Sequence, residues 1–146
     1  MFVNPTPHTR LADNLTKTAS KAMLEYVGVL TIKLIGGDTL AARDLSGRSD
    51  PYVIFTVGDQ QVQSKVKFQT LQPVWNESFQ VCVASLDDRL NLHVMDWDRI
   101  GKHDPMGDGS IRLEDLEDGK PTYKSVKLEH VECGTIHLQL TWTLLA

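Results

Sequence analysis

Apolar and polar residues alternate from residue 28 onward with the period of two that a half-buried β-strand requires. Leu30, Ile32 and Leu34 alternate with polar neighbours in the first such segment. The pattern recurs in seven further segments, namely 53–57, 62–66, 79–83, 90–94, 111–113, 126–128 and 136–142. Short turn signals separate these segments, and no long helical period interrupts them. The pattern predicts an all-β fold, an eight-stranded antiparallel β-sandwich.

Residues 1–27 lack this alternation, so we predict an N-terminal extension or linker over 1–27 and one domain over 28–146. Apolar residues in the extension fall near helical spacing: Leu11, Leu15, Ala19, Ala22, Met23 and Tyr26. That spacing is compatible with a modest amphipathic helix over 10–26. The favoured interpretation is a linker or the edge of a longer protein.

The order of the strands assigns each connection to one end of the sandwich, because consecutive strands are expected to run alternately up and down. Connections 37–50, 68–73, 96–105 and 129–133 fall at one end. Those over 58–60, 84–88 and 114–121 fall at the other end. The sequence therefore predicts that the first and third long connections lie together.

Five aspartates lie in these two connections: Asp44, Asp50, Asp96, Asp98 and Asp104. Two like charges repel by about 4 kcal/mol at roughly 4 Å when the effective dielectric constant is about 20. A single aspartate in a loop is explained by its ability to cap its own turn. Convergence of five favours a hard divalent cation, and calcium accepts many oxygen ligands in flexible geometry.

Other cation sites fit these residues less well. Magnesium keeps its own waters and demands a tighter octahedron, and zinc prefers several His or Cys ligands where only His103 is at hand. An EF-hand loop starting at Asp96 fails, because Ile100 occupies the fifth position and Gly107 replaces the final glutamate. The pattern therefore favours calcium bound between two loops.

Composition narrows the class of protein further. The 146 residues carry a net charge of −4 without a block of Lys or Arg, which argues against a nucleic-acid partner. Cys82 and Cys133 form no disulfide framework and suit a reducing compartment such as the cytoplasm. No apolar run reaches transmembrane length, so membrane contact would be peripheral. Nucleophile-elbow and phosphate-loop motifs are missing, so we predict that the protein is not an enzyme.

Three segments closely resemble signature segments of the C2 domain, the calcium- and phospholipid-binding β-sandwich of protein kinase C and the synaptotagmins. They read DLSGRSDPYV over 44–53, TLQPVWNESF over 70–79 and DWDRIGKHDPMG over 96–107. The resemblance covers about residues 28–143. The strand order is similar to the permuted, type II topology of the novel protein kinases C and the extended synaptotagmins.

The resemblance implies two or three calcium ions bound by the carboxylates of the same five aspartates: Asp44, Asp50, Asp96, Asp98 and Asp104. It further implies ligand carbonyls at Arg43, Trp97 and Lys102. The expected function is a regulatory module that binds an anionic phospholipid membrane when calcium is raised, cytoplasmic and peripheral. The alternative is a calcium-independent protein–protein interaction module on the same fold. The complete acidic set favours the first.

Residues for membrane contact are expected at the loop tips. They are Leu45, Arg48, Arg99, Ile100 and Lys102. The two apolar ones are expected to be exposed, and the alternative is that they fold inward as satellite core residues.

A second surface for lipid headgroups is weakly indicated. Lys65 and Lys67 are expected to share one strand face with Gln63. Some relatives bind phosphoinositides on a lysine-rich face, but a solvated surface is the favoured interpretation here.

Overall fold

The computed structural model describes residues 26–145, which form two packed sheets. The strands are β1 (Gly28–Asp38), β2 (Pro51–Val57), β3 (Gln60–Gln63), β4 (Val74–Val83), β5 (Arg89–Asp96), β6 (Asp104–Arg112), β7 (Thr122–Lys127) and β8 (Thr135–Leu144). A short 3-10 helix spans Leu113–Asp115. The predicted eight-stranded antiparallel β-sandwich is confirmed.

Each sheet has four strands, in the orders β4-β1-β8-β7 and β3-β2-β5-β6. Neighbouring strands are antiparallel throughout both sheets. The alternating apolar residues of β1, which include Leu30, Ile32 and Leu34, are completely buried between the sheets. Phe55 and Leu92 face them from the second sheet and are also completely buried. Burial of each such side chain stabilises the fold by roughly 1.5–3 kcal/mol.

The third strand ends earlier than the alternation predicts, because a side chain replaces the main chain in the ladder. The N–H of Ser64 still donates to the carbonyl of Val53 at 2.9 Å, but the N–H of Val53 donates to the Ser64 hydroxyl, also at 2.9 Å. Lys65 and Lys67 therefore lie beyond β3. The prediction that they share one strand face with Gln63 is wrong.

Main-chain hydrogen bonds bring the long connections together at one end of the sandwich. The N–H of Thr70 donates to the carbonyl of Ser49, and the N–H of Trp97 donates to the carbonyl of Asp50, both at 2.9 Å. These bonds join the loops before β2, after β3 and after β5. We call the end formed by loops 39–50, 64–73, 97–103 and 128–134 the acidic pole.

The predicted helix over 10–26 falls outside the described residues, apart from its last position. Val27 already belongs to the first sheet: its N–H donates to Val83 at 2.8 Å, and its carbonyl accepts from Leu145 at 2.9 Å. Among the residues that the structure describes, no helix is long and apolar enough to span a membrane.

A glycine allows β6 to approach the loop between β7 and β8. Gly107 has φ of 103°, and a Cβ there would lie 2.5 Å from Val131 Cγ1 and 2.9 Å from Leu128 Cβ. Immediately after it, the N–H of Asp108 donates to Glu129 and the N–H of Glu129 donates back to Asp108. This contact joins the two sheets beside the acidic pole.

We expect Gly107→Ala to destabilise the domain by about 3 kcal/mol, because the methyl group adds overpacking to an unfavourable backbone conformation. Gly119→Ala is the control, since Gly119 has φ of 74° but nothing within 4 Å of the position that a methyl group would take. It should cost only about 1–2 kcal/mol. Urea unfolding of the two variants measures the difference, and equal losses would contradict the close approach at Gly107.

Candidate metal centre

Two aspartates at the ends of neighbouring strands form the base of the acidic pole. Asp96 is the last residue of β5, where it is opposite Pro51, and Asp50 directly precedes Pro51. The N–H of Asp50 donates to the Asp96 carboxylate oxygen Oδ1 at 2.8 Å. The N–H of Trp97 in turn donates to the Asp50 carbonyl, which holds the two strand ends together. The Gln69 N–H donates to the Asp50 carboxylate oxygen Oδ1 at 2.7 Å, so both carboxylates accept a main-chain hydrogen bond.

A third carboxylate reaches them from the first loop. Oxygens of Asp44, Asp50 and Asp96 lie within 4.8 Å of one another. The Asp44 N–H donates to the carbonyl of Arg48 at 2.7 Å. The buried Ser49 hydroxyl donates to the carbonyl of Ala41 at 2.8 Å. These bonds shape the loop so that Asp44 points toward the two strand-end aspartates.

Asp96 is the most buried carboxylate of the group, with only 5% of its surface exposed. Burial raises the pKa of its carboxyl, and the negative charges of Asp44, Asp50 and Asp104 raise that pKa further against the lowering effect of the Asp50 N–H. Among the described residues, no Lys, Arg or His forms an ion pair with these aspartates. A hard divalent cation would fit this donor set and compensate its charge.

The remaining two predicted ligands occupy different positions. Asp104 is directly opposite Asp96 in the β5–β6 register, so it borders the three converging carboxylates. Asp98 is exposed, and its Oδ1 accepts a hydrogen bond from the Ile100 N–H at 3.0 Å. That bond is the local turn capping expected of a loop aspartate. The structure thus brings Asp44, Asp50 and Asp96 together, with Asp104 at the border and Asp98 in the adjacent turn.

The predicted carbonyl ligands are free to accept. Among the described residues, none donates a hydrogen bond to the carbonyl oxygens of Arg43, Trp97 or Lys102. The side chain of Arg43 forms an ion pair with Glu132 at 3.2 Å, and its Nε donates to the carbonyl of Pro105 at 3.5 Å. The arginine therefore ties loop 128–134 to the pole without neutralising the carboxylates.

The tips of the pole carry exposed apolar side chains. Leu45 is fully exposed and Ile100 is 82% exposed, and neither folds inward. The sequence interpretation missed Phe68, which is 60% exposed on the second loop and lies edge-on to Trp97 with ring centroids 5.5 Å apart. An isolated aromatic residue at the edge of a predicted turn was the available signal. The tip cations, Arg48, Arg99 and Lys102, are all exposed.

The weakly predicted headgroup face is poorly formed. Lys65 is exposed, and its N–H donates to both carboxylate oxygens of Glu77 at 3.2 and 3.3 Å. Lys67 is half-buried, and its N–H donates to Pro51. An acidic side chain therefore contacts the main chain at Lys65.

Comparison with known proteins identifies the class of domain. The family model of the C2 domain matches residues 28–128, which is more than half of the chain. The chain belongs to the C2 domain family, and the resemblance of its three motifs is confirmed.

Individual relatives agree with this assignment. Synaptotagmin-2 of Arabidopsis thaliana is 41% identical over 113 residues, which cover 75% of this chain and 21% of that protein. Tricalbin-3 of Saccharomyces cerevisiae is 41% identical over 125 residues, which cover 84% of this chain and 8% of that protein. The chain thus spans about a fifth or less of the length of these two relatives.

Solved structures support the fold. A C2 domain of plant Extended Synaptotagmin 1 superposes with a TM-score of 0.79 at 23% identity, over 83% of this chain and 98% of that one. The calcium-bound tandem C2 domains of Extended-Synaptotagmin 2 give a TM-score of 0.73 at 34% identity, over 80% of this chain and 46% of that one. The predicted likeness to extended synaptotagmins is confirmed.

We expect Asp96→Asn to stabilise the chelated protein at neutral pH. Because the folded-state pKa of Asp96 is raised, the folded wild type binds more protons than the unfolded chain and loses stability as pH rises through that pKa. The amide oxygen of asparagine keeps the bond from Asp50 and carries no charge. Thermal melts in chelator from acidic to neutral pH should show a smaller pH-dependent loss in the variant. A variant less stable than wild type at neutral pH would contradict the electrostatic strain.

Proposed function

We propose that this domain binds calcium at the acidic pole and then binds an anionic phospholipid membrane. The convergence of Asp44, Asp50 and Asp96, with one carboxylate buried, is the observation that carries the proposal. Asp98, Asp104 and the carbonyls of Arg43, Trp97 and Lys102 complete the proposed ligand set, for two or three ions. The calcium-bound state of the Extended-Synaptotagmin 2 domains supports it by analogy.

Charge explains why membrane binding would depend on calcium. The five aspartates of the pole repel anionic headgroups, and they outnumber the three exposed cations at the loop tips. Bound calcium would neutralise the carboxylates and offer open coordination positions to lipid phosphate or carboxylate oxygens. Each of the tip cations, Arg48, Arg99 and Lys102, then adds attraction of about 1 kcal/mol near an anionic surface.

Apolar side chains would supply the second part of the membrane contact. Ile100, Leu45 and Phe68 project from three different loops of the same pole. Transfer of one such side chain out of water contributes roughly 1.5–3 kcal/mol. Trp97 lies beside Phe68, and indole rings favour the headgroup region of a bilayer. The three loops would therefore insert together once the repulsion is removed.

Calcium should raise the melting temperature of the domain, and magnesium should raise it much less. A cation that binds only the folded state stabilises it by about 2.7 kcal/mol at roughly a hundredfold excess over Kd. Scanning calorimetry in calcium, magnesium and chelator measures the effect. An unchanged melt in millimolar calcium would exclude the site.

Substitutions should separate ligands from ordinary turn residues. Asp50→Asn and Asp98→Asn should each abolish or severely weaken calcium binding while the chelated protein stays folded, because either change removes a proposed ligand charge. Asp59→Asn is the matched control, since Asp59 occupies the β2–β3 turn at the opposite end. Isothermal titration with calcium measures all three, and equal behaviour of the two classes would contradict the proposed ligands.

Ile100→Ala should weaken calcium-dependent vesicle binding about tenfold, because it removes most of one inserted side chain. Calcium binding without lipid should not change. Tyr123→Ala is the control, because Tyr123 is 71% exposed but lies on β7, away from the loop tips. Vesicle sedimentation with phosphatidylserine–phosphatidylcholine mixtures provides the measurement.

Salt and chelator complete that experiment. Added salt should weaken wild-type binding through screening and leave the apolar contribution. Full binding in chelator would refute the calcium requirement. If the domain bound no vesicles but bound a protein partner without calcium, the alternative of a protein–protein interaction module would be favoured instead.

A further inference from the structure

A groove of about 330 Å³ lies between the edges of the two sheets, toward the end opposite the acidic pole. It is lined by β6 of the second sheet and β7 of the first, together with the start of β5. Three of its lining side chains are cations: Arg89, Arg112 and Lys124. Ser110 adds a hydroxyl group, and Asp115 is the one carboxylate of the lining.

A close contact between the sheet edges defines one wall of this groove. Val126 of β7 lines the groove, and a Cβ added at Gly109 of β6 would lie 2.5 Å from Val126 Cγ1. The two edges therefore touch at Gly109, and the groove is lined by Ser110–Arg112 of β6 and Lys124–Val126 of β7. Two of the cations, Arg112 and Lys124, belong to these edges, and Arg89 is the first residue of β5.

The arrangement of cations is unfavourable for the domain alone. Arg89 and Arg112 are direct cross-strand partners in the β5–β6 register, and like charges directly opposite each other destabilise a sheet. Glu114 forms an ion pair with Arg112. Within the described part of the chain, neither Arg89 nor Lys124 has an ion-pair partner. The lining itself carries these three cations against the single carboxylate of Asp115.

Other nearby carboxylates lie beside a different cavity. Asp87 and Asp88, in the turn before β5, line a neighbouring cavity of about 260 Å³ that shares Arg89 and Arg112. Lys124 and Ser110 belong only to the groove. The Nε of Arg89 donates to the Ser110 hydroxyl oxygen at 2.6 Å. This bond orients the guanidinium and leaves the Ser110 proton available as a donor.

We propose that this groove binds a phosphate group through Arg89, Arg112, Lys124 and the Ser110 hydroxyl. A guanidinium group can donate two parallel hydrogen bonds to the oxygens of one phosphate, and a lysine adds a positive charge on a flexible side chain. The groove volume accommodates a compound larger than one phosphate, such as a diphosphate. Its binding requires none of the aspartates of the acidic pole.

The source of the phosphate is assigned by distance. β5 runs from Arg89 at the groove to Asp96 at the acidic pole, a span of roughly 24 Å at about 3.4 Å per residue. A membrane that contacts the loop tips would not reach the groove. This assignment to a soluble phosphate compound rests on the proposed function, whereas the groove itself does not.

Isothermal titration with inorganic pyrophosphate, in chelator, tests the site. We expect Arg89→Gln/Lys124→Gln to weaken binding at least about tenfold, as expected for the loss of charge-assisted hydrogen bonds. Lys127→Gln removes the same type of charge from the outer face of β7 and should bind like wild type. Absence of wild-type binding, or an equal loss in Lys127→Gln, would overturn the proposal. If the melting temperature of the double variant is lower than that of wild type, the single variant Lys124→Gln is titrated in its place.

Two further measurements distinguish the groove from the acidic pole, and a soluble phosphate compound from a phospholipid headgroup. Asp50→Asn should bind pyrophosphate like wild type, because Asp50 lies at the acidic pole. If this variant also retained calcium binding, that result would contradict the proposed function and leave the phosphate proposal standing. Phosphatidic acid–phosphatidylcholine vesicles, in chelator, present the same chemistry on a membrane. Vesicle binding that depends on Arg89 and Lys124 would overturn the assignment to a soluble compound, and its absence together with pyrophosphate binding would support it.

Discussion

The hydrogen bond from the Asp50 N–H to the Asp96 carboxylate is the interaction on which the acidic pole depends. A buried carboxylate is costly unless its oxygens are bonded or its charge is compensated. Asp50 meets part of that need, and it also accepts main-chain bonds from Trp97 at its carbonyl and from Gln69 at its carboxylate. One residue therefore fixes three loops around a charge that remains uncompensated by any ion pair of the described residues.

These bonds couple the ligand geometry to the exposed tips. Phe68 directly precedes Gln69, whose N–H bonds the Asp50 carboxylate at 2.7 Å, and Trp97 directly follows Asp96. The side chains of Phe68 and Trp97 contact each other edge-on, so the two loops are also joined at the exposed surface. A cation that draws the carboxylates together would act on the same turns that present the apolar side chains. The proposed ion ligands and the proposed membrane-contact residues thus belong to one hydrogen-bonded unit.

The alternation of residues was sufficient to predict the number of strands, because burial of one sheet face leaves a period of two in the sequence. It did not predict the bounds of β6, which begins at Asp104 although the predicted segment was 111–113. It failed at Ser64, where a hydroxyl group replaces a main-chain acceptor and ends β3. The five aspartates were visible as loop residues, but the burial of Asp96 depends on cross-strand register. The basic groove was not predictable, since Arg89, Arg112 and Lys124 are brought together by two different sheets.

The fifth strand places opposite charges at its two ends, with Arg89 at the groove and Asp96 at the acidic pole. Between them, Leu90, Leu92 and Val94 are completely buried in the core. Close-packed interiors resist displacement, so a change at one end of this strand is absorbed by little movement along it. An ion at the pole and an anion in the groove would then bind independently. The proposed membrane contact and the proposed phosphate site would then lie at opposite ends of one closely packed strand.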